Sequence, residues 1–439
     1  MARTLTPLDA HALMNALVAQ ATGQASITAT DTSSFVAAGE LVLATGVENT
    51  LNALSLVLGR TLMAVRPYGA KLGMINALNT GAYSHRLRKI SFYSRAALPA
   101  GDWNTDLYNN LVTGYDNGSN GATGSTPPTN STESMWVQNK PVPLEVNFAG
   151  SSVWQDSTTV YEYQVKQAFR DEAAFNTFVA GILTEKGNDI EQQKEAFNRM
   201  TLLNYIAGVY DLDVAASNGR VVNLTKAFND YFGTNYSTTD LQTTYLKEFL
   251  EFFISEYKRY SDLMTYRSAS FHHAPDGPNG EILLRHTPKD KQRFICYNPF
   301  WLKARAMVMP EIFSPQYLAE PQFEAVDFWQ SFEDGPAINV TPAIPDYDST
   351  SPTFGTQVAG TSVDLDYVLG ILYDEDAIMT DFQLESSATT PLEARKRYRN
   401  IWWSFAKNSI NDFTENAIIF TMEDTEGDGG DGGDGGDGD

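Results

Sequence analysis

The sequence predicts an α+β fold in which one long helix separates an extended hairpin from a mixed half of helices and strands. Apolar residues recur at helical spacing over residues 171–210. Strand-like segments at 86–93 and 142–148 enclose a long polar connection. Hydrophobic strand candidates at 367–373 and 377–384 precede two aromatic, strand-like segments near the end of the chain.

Composition indicates a soluble globular protein. Hydrophobic residues make up 42% of the 439 residues, which is enough for a sizeable core. The net charge of −23 argues against a general nucleic-acid binder or a peripheral membrane protein. No apolar run approaches the 18 or so residues of a membrane span, and the N-terminus lacks the apolar stretch of a signal peptide. Cys296 is the only cysteine, which favours a reducing, cytoplasm-like compartment.

Residues 1–55 form a segment rich in Ala, Thr and Ser. A weak apolar stripe predicts a short helix over 7–23, and a better one predicts a helix over 47–65. Two interpretations remain open for this region: an ordinary N-terminal helical segment, or an extended arm that packs on a neighbouring subunit.

The connection between the first two strands is unusually polar. Residues 114–132 read GYDNGSNGATGSTPPTNST and contain no aliphatic side chain beyond Ala122. Loops of this length inside compact domains are usually functional or disordered. Since a two-stranded hairpin is only marginally stable in water, we expect another part of the protein or a partner to cover it.

The long helix is the strongest single prediction. Over residues 171–210, Phe175, Phe178 and Ile182 begin an apolar face that Phe197 and later residues roughly continue. A helix of about 36 residues extends to about 54 Å. Gly187 and Asn188 are the weak point where a kink is expected.

Later segments complete the predicted fold. An aromatic stripe predicts one helix over 240–264, and 293–309 is strand-like at its start. Residues 331–362 have the composition of a loop. The acidic tail at 423–439 carries eight acids and no base, so we expect it to be disordered.

Candidate catalytic and metal-binding groups are few. The consecutive acids Asp374, Glu375 and Asp376 form a carboxylate cluster suited to general acid–base chemistry, or simply a solvated turn at the tip of a hairpin made by the two flanking strands. His272 and His273 are adjacent and point in opposite directions in extended chain, which argues against a shared metal. The common nucleotide-binding, hydrolase and zinc-protease motifs are missing from the sequence, so neither an enzyme nor a cofactor is expected.

Basic residues concentrate in two short runs. The densest contains Arg395, Lys396, Arg397 and Arg399, and the next contains Arg86, Arg88 and Lys89. Such islands in an acidic protein suit either contact with nucleic acid or ion pairing with acids of the same or a neighbouring subunit.

The order of these parts resembles the major capsid protein of tailed bacteriophages, with the Hong Kong ninety-seven fold, and is most similar to its short-tailed, phi-twenty-nine-like branch. Three stretches carry the resemblance: VWQDSTTVYEYQVKQAFRDEAAFNTFVAGIL, VLGILYDEDAIMTDFQLES and LEARKRYRNIWWSFAKNSINDFTENAIIFTM. The resemblance implies seven parts: an N-terminal arm (1–55), the start of a peripheral domain (56–85), an extended loop (86–148), the rest of the peripheral domain with its spine helix (149–210), an axial domain (211–362), C-terminal peripheral strands (363–422) and the tail (423–439).

The resemblance further implies a structural protein that forms an icosahedral shell of pentamers and hexamers around double-stranded DNA. The expected partners are portal, scaffolding and decoration proteins, with DNA held weakly and without sequence preference. The expected location is the virion capsid, assembled in the cytoplasm of a host bacterium. The residues expected to contact neighbouring subunits are Arg86, Arg88, Lys89, Tyr115, Trp136 and Lys140. The alternatives are an encapsulin-like compartment and a hydrolase that uses the acids at 374–376.

Overall fold

A computed structural model gives the fold of the chain. It describes residues 7–23, 28–46, 48–54, 72–73, 75–78, 87–94, 141–148, 152–170, 172–216, 219–275, 282–307, 322–347 and 351–424. Within these ranges helices and sheets are both abundant, so the mixed helix-and-sheet class predicted from the sequence is confirmed.

Eight helices of the described chain have both ends defined. They are α1 (Pro7–Thr22), α2 (Thr32–Ala44), α3 (Glu162–Ala168), α4 (Glu172–Ala216), α5 (Leu224–Phe232), α6 (Thr238–Thr243), α7 (Leu246–Leu263) and α8 (Asn298–Met307). Residues 48–54 are also helical, within the helix predicted over 47–65; the rest of that prediction, after residue 54, lies outside the described residues.

The strands form two larger sheets and three two-stranded ones. They are β1 (Asn76–Leu78), β2 (Leu87–Phe92), β3 (Pro143–Phe148), β4 (Ser152–Tyr161), β5 (Val221–Asn223), β6 (Gln292–Tyr297), β7 (Gln322–Val326), β8 (Ile338–Val340), β9 (Ala343–Pro345), β10 (Gln357–Ala359), β11 (Val363–Leu365), β12 (Val368–Asp374), β13 (Ile378–Thr389), β14 (Tyr398–Asn411) and β15 (Ala417–Thr421). The four-stranded sheet has the order β1-β13-β14-β4, and the five-stranded sheet has the order β5-β15-β12-β6-β7. The pairs are β2 with β3, β8 with β11, and β9 with β10.

Helix α4 connects two hydrophobic cores. It contains 45 residues, so at 1.5 Å per residue it is about 68 Å long. Its first half contributes Phe175 and Val179 to one core, and its second half contributes Tyr205 and Ile206 to another. The helix predicted over 171–210 is therefore present and extends further, and it is continuous through Gly187, where a kink was expected.

The first core also contains the N-terminal helices. Met14 of α1 and Phe35 of α2 are fully buried in the same cluster as Phe175 and the sheet residue Trp403. Phe35 and Phe175 meet edge to face, with their ring centroids 5.4 Å apart. The described part of the N-terminal segment thus packs on its own chain.

Three predictions about later elements are wrong in detail. The strands at 368–374 and 378–389 do not pair with each other: β12 lies in the five-stranded sheet and β13 in the four-stranded one, so the acids between them connect two sheets. The single helix predicted over 240–264 is two helices, interrupted at Thr244 and Tyr245. The region 331–362, predicted as loop, contains the short strands β8, β9 and β10.

Two glycines of α4 give a direct test of how its second half packs. A Cβ atom on Gly208 would lie 2.5 Å from the ring of Phe413, whereas a Cβ on Gly181 would meet no atom within 4 Å. Alanine favours a helix interior over glycine by about 1 kcal/mol, but overpacking a core costs about 1–3 kcal/mol. We expect Gly208→Ala to lower the free energy of unfolding and Gly181→Ala to raise it slightly, as measured by urea denaturation. Equal effects of the two substitutions would contradict this packing.

Candidate functional site

The hairpin of β2 and β3 presents two different faces. The strands pair antiparallel, with Leu87 opposite Phe148 and Phe92 opposite Pro143. Successive side chains of a strand point to opposite faces, so Lys89 and Ser91 share one face while the residues between and beside them share the other. The first face lies against the body of the protein.

Lys89 anchors the inner face by two ion pairs. Its Nζ lies 2.6 Å from Oδ2 of Asp412 and also donates to Oε1 of Glu415. Both acids belong to the segment between β14 and β15, and Asp412 is fully buried. We call Lys89, Asp412 and Glu415, together with Arg285, the hairpin clamp.

Arg285 also connects the hairpin to the segment between β14 and β15, through hydrogen bonds to both. Its Nη2 donates to the hydroxyl of Ser91 over 2.7 Å, and its Nε donates to the carbonyl oxygen of Thr414 over 3.1 Å. The same Nη2 lies 3.4 Å from Oε1 of Glu415. Two cations therefore share the carboxylates that hold the inner face of the hairpin.

Burial and the neighbouring charges have opposite effects on the pKa values of Lys89 and Glu415 in the clamp. Burial disfavours the charged form of Lys89, but Asp412 and Glu415 outweigh it, so the pKa of Lys89 is raised above its usual value. Burial also raises the pKa of Glu415, against the opposing influence of Lys89 and Arg285. The Lys89 ammonium therefore remains charged throughout the neutral range.

The outer face of the hairpin exposes large apolar side chains. Ile90 is 50% exposed and Phe92 is 60% exposed. Next to them Arg88 and Glu145 form an exposed ion pair, 2.5 Å between Nη2 and Oε2. The described residues therefore leave both apolar side chains uncovered on the outer face.

The residues of the basic run at 395–399 differ in burial and in their ion-pair partners. Arg399 is buried in β14, and its Nη2 lies 3.1 Å from Oε1 of Glu48. Arg397 has a positive φ of 53° and directs its Nη1 to Oε2 of Glu162, at 3.2 Å. Arg395 remains exposed.

An open surface cavity of about 250 Å³ lies beside the basic run, lined by Glu162, Tyr163, Lys166, Lys396 and Arg397. Lys166 also pairs with Glu162, one turn away along α3. Hydrogen bonds from Lys166, and then from Arg397, outweigh burial and lower the pKa of this carboxyl. Three cations against one acid leave the cavity net positive.

The acids at 374–376 lie at a turn that is only partly solvated, so the solvated-turn interpretation fits Asp376, whose side chain is 49% exposed, but not Asp374. Asp374 is only 5% exposed, and its Oδ2 accepts a hydrogen bond of 2.7 Å from the hydroxyl of Thr287. Burial raises the pKa of Asp374. Glu375 pairs with Arg293 and Lys291. These partners come from the segment at 287–293, so the acids join β12 to its neighbouring strand β6.

Several residues that the sequence predicts to contact neighbouring subunits cannot be placed relative to the clamp. Arg86, Tyr115, Trp136 and Lys140, like the polar segment 114–132, are outside the described residues. The sequence analysis did not predict that Arg285, Asp412 and Glu415 hold the hairpin. The only signal for the two acids is the polar gap NDFTEN at 411–416 between two strongly apolar strands.

Within the described ranges, no group of three or more His, Cys, Asp or Glu side chains is arranged to hold a metal ion. No helix among the described residues is both long and apolar enough to cross a bilayer. His272 is buried, and its Nε2 donates to the carbonyl oxygen of Leu283 over 3.0 Å.

Comparisons with known proteins give structural likeness only. No protein-family model and no curated protein matches the chain. A capsid structure of Staphylococcus phage Andhra is similar over 81% of this chain and 84% of that chain, with 11% identity and a TM-score of 0.49. A structure of the head fiber and inner core protein gp22 of native bacteriophage P68 is similar over 81% and 85%, with 12% identity and a TM-score of 0.45. The asymmetric unit of the bacteriophage PhiM1 mature capsid is similar over 82% and 88%, with 9% identity and a TM-score of 0.39.

Two charged residues of β2 allow a matched test of the clamp. Lys89→Met leaves Asp412 and Glu415 without their main cation, and we expect it to lower the free energy of unfolding by about 1–3 kcal/mol. Arg88→Met removes only an exposed pair, so its effect should stay within about 0.5 kcal/mol. Urea denaturation measures both values. Hydrogen exchange should also speed up in 87–94 for Lys89→Met alone; similar exchange in both variants would contradict the clamp.

The raised pKa of Lys89 predicts how the clamp depends on pH. A group whose pKa is raised by folding stabilises the protein fully below its unfolded pKa, about 10.4 for lysine, and loses that contribution as pH rises through the folded value. The stability difference between the wild type and Lys89→Met should therefore be constant from pH 7 to about pH 9.5 and shrink at higher pH. Urea titrations at a series of pH values measure it, and a constant difference up to about pH 12 would be evidence against this charge state.

Proposed function

We propose that this chain is the subunit of an icosahedral capsid that encloses double-stranded DNA, with the Hong Kong ninety-seven fold and closest to the phi-twenty-nine-like branch. Its proposed role is structural: copies of the chain contact one another to form pentamers and hexamers, and no catalysis is involved. The proposed location is the virion, after assembly in a bacterial cytoplasm with portal, scaffolding and decoration proteins.

The two-faced hairpin is the observation that carries this proposal. A two-stranded sheet is marginally stable alone, and within the described residues one face is anchored, through the clamp and through Phe148, which packs against Met379 and Ile410. The other face exposes Ile90 and Phe92. A neighbouring copy of the subunit would bury these side chains, as the extended loop of the proposed fold does.

Helix α4 supports the proposal because a repeating shell needs a subunit with a rigid frame. The helix joins both cores, and the 14-residue strand β14 contributes Trp403 and Phe405 to the first of them. In the proposed domain division, residues 1–55 form the N-terminal arm, 86–148 the intersubunit loop and 211–362 the axial domain. The peripheral domain consists of 56–85, 149–210 and 363–422, and its spine is α4 up to about residue 210. Arg86, Arg88, Tyr115, Trp136 and Lys140 are the proposed contacts along the loop, and Lys89 orients it from the inner face.

Charge supports the DNA-enclosing role. A net charge of −23 keeps packed DNA from binding the shell tightly, while small basic sites allow weak contact. Arg395 and Lys396 are the members of the basic run best placed for such contact, since Arg397 and Arg399 pair with Glu162 and Glu48.

An encapsulin-like compartment is the second candidate, because the same hairpin and spine would serve a shell that holds enzymes instead of DNA. The hydrolase alternative is weakened by the geometry of its proposed acids: Asp374 is bonded to Thr287, and Glu375 to Arg293 and Lys291.

Electron microscopy of the full chain, expressed alone and with its neighbouring open reading frames, tests the proposal. Hollow shells, or pentamers and hexamers, that require a neighbouring protein and contain DNA are the expected result. Uniform shells formed by the chain alone, without DNA, would favour the compartment. Monomers under every condition would rule out both.

Substitution of the exposed hairpin face tests which surface makes the contact. We expect Phe92→Glu to leave the melting temperature of the isolated subunit unchanged but to reduce shell formation at least tenfold, because a charge would be buried at the interface. Phe354→Glu, on the turn at 351–356, is a control of similar exposure, at 55%. Sedimentation separates shells from free subunits. Normal assembly of Phe92→Glu would mean that the outer face is not a contact surface.

A further inference from the structure

The basic run at 395–399 begins in a turn that its own hydrogen bonds close. The N–H of Arg397 donates to the carbonyl oxygen of Glu393 over 2.8 Å, and the N–H of Glu393 donates to the carbonyl oxygen of Tyr398 over 3.0 Å. The carboxylate of Glu393 also accepts from the N–H of Lys396. The backbone of the turn at 393–398 is therefore held in one shape.

Arg397 joins this turn to α3 in a strained conformation. Its φ of 53° lies in the left-handed region, which a residue with a side chain occupies only when its surroundings hold it there. Glu162 holds it in two ways: its N–H donates to the carbonyl oxygen of Arg397 over 3.1 Å, and its Oε2 lies 3.2 Å from Nη1 of Arg397. Strained residues of this kind concentrate at ligand-binding sites. The turn is therefore a candidate binding element.

Three cations line the surface cavity beside the turn, and a fourth belongs to the turn itself. We call these four residues the basic site: Lys166, Arg395, Lys396 and Arg397. Lys166 and Arg397 share the carboxylate of Glu162, yet their side chains remain 53% and 64% exposed. Both can therefore still attract an anion in the cavity.

The other two cations of the basic site are unpaired. Among the described residues, no carboxylate pairs with the ammonium of Lys396 or the guanidinium of Arg395, and both residues are exposed. Four cations against the two acids Glu162 and Glu393 leave the site a net charge of +2, in a chain whose total is −23.

The same sequence contains an acidic segment that complements this charge. Residues 425–439, which lie outside the described ranges, read TEGDGGDGGDGGDGD and contain six acids and no base. From Asp428 to Asp437 the aspartates recur every three residues, a spacing of about 10 Å in extended chain. Because the segment has no apolar side chain to bury, its charge is the feature that a binding site can recognise.

The acidic segment begins at the opposite end of α4 from the basic site. Near the C-terminal end of α4, Asp213 accepts from an N–H of β5 over 3.3 Å, and Asn223 at the end of β5 donates to the carbonyl oxygen of Glu423 over 3.0 Å. Near the N-terminal end, Phe169, which follows α3, packs on Phe175 with ring centroids 5.7 Å apart. From Phe175 to Asp213 the helix rises about 57 Å.

A Gly-rich chain of 15 residues rarely crosses this distance. Its r.m.s. end-to-end distance is about 21 Å, and even full extension gives only about 50 Å. The acidic segment of one chain therefore seldom meets the basic site of the same chain. The segment of a second copy has no such restriction.

We propose that the basic site binds the acidic segment 425–439 of a second copy of this chain. Arg395 and Lys396 pair with its aspartates, while Lys166 and Arg397 keep the adjoining cavity positive. Each exposed pair contributes little, so the affinity comes from several pairs together and falls with salt.

The bound segment would compete with DNA for the same cations. DNA brings further negative charge to a chain that already carries −23, whereas the acidic segment is part of that charge. The contact between DNA and this site would then stay weak. In this respect the inference rests on the proposed function, because it requires copies of the chain side by side.

Fluorescence anisotropy of a labelled peptide TEGDGGDGGDGGDGD, titrated with the full chain, tests the pairing without a shell or DNA. We expect saturable binding at about 20 mM salt that is at least about tenfold weaker at 200 mM. A peptide with Asn and Gln in place of its acids should not bind. Absence of binding by the acidic peptide would overturn the inference, whereas shells seen by electron microscopy would still support the proposed function.

Matched lysine variants locate the bound peptide. We expect Lys396→Met to weaken peptide binding about threefold, and Lys303→Met, which removes an exposed lysine of α8, to leave it unchanged. Equal weakening by both would mean that the peptide responds only to net charge, and would overturn the site. Displacement of the peptide by duplex DNA or inorganic phosphate, at an equal concentration of charge, would overturn it in favour of a phosphate site.

Discussion

The packing of α4 is the constraint on which the rest of the structure depends. Most of the stability of a helix in a protein comes from burial of an apolar face against its neighbours. Helix α4 has such neighbours along both halves: the N-terminal helices and the four-stranded sheet around Phe175, and the β-rich core around Tyr205. Because one helix enters both cores, loss of packing in either core destabilises an element of the other.

The second half of α4 positions the hairpin by packing on the turn between β14 and β15. Tyr205 stacks on Phe413 with ring centroids 5.1 Å apart and planes 7° from parallel, and the missing side chain of Gly208 leaves room for that ring. Phe413 lies next to Asp412, whose Oδ1 accepts from the N–H of Thr414 over 2.9 Å. The turn is therefore held in one shape, and this shape places the carboxylates that bind Lys89.

The sequence predicted the elements whose signal is local and missed those that depend on distant partners. Helix α4 and the hairpin strands follow from periodicity alone. Nothing in the apolar patterns of β12 and β13 indicates that they join different sheets, because the choice of a neighbouring strand depends on residues far along the chain. The same holds for the clamp: Lys89 and Asp412 are 323 positions apart. The sequence favoured a solvated turn for Asp374. Nothing in the neighbouring residues indicates that Thr287, 87 positions earlier, becomes its hydrogen-bond partner.

The hairpin is attached to the described chain through one face and leaves two large apolar side chains of the other face exposed. Ion pairs taken out of water contribute little net stability, because the cost of removing their hydration offsets most of their attraction, although they specify geometry well. The inner face is oriented by Lys89 and by Arg285 through Ser91, and its apolar contact with the body is small: Phe148 and Val146 pack on Met379 and Ile410. Two further large apolar side chains of the hairpin, Ile90 and Phe92, are exposed on the opposite face. Burial of Ile90 and Phe92 against another surface would add a favourable apolar contribution that the described residues do not supply.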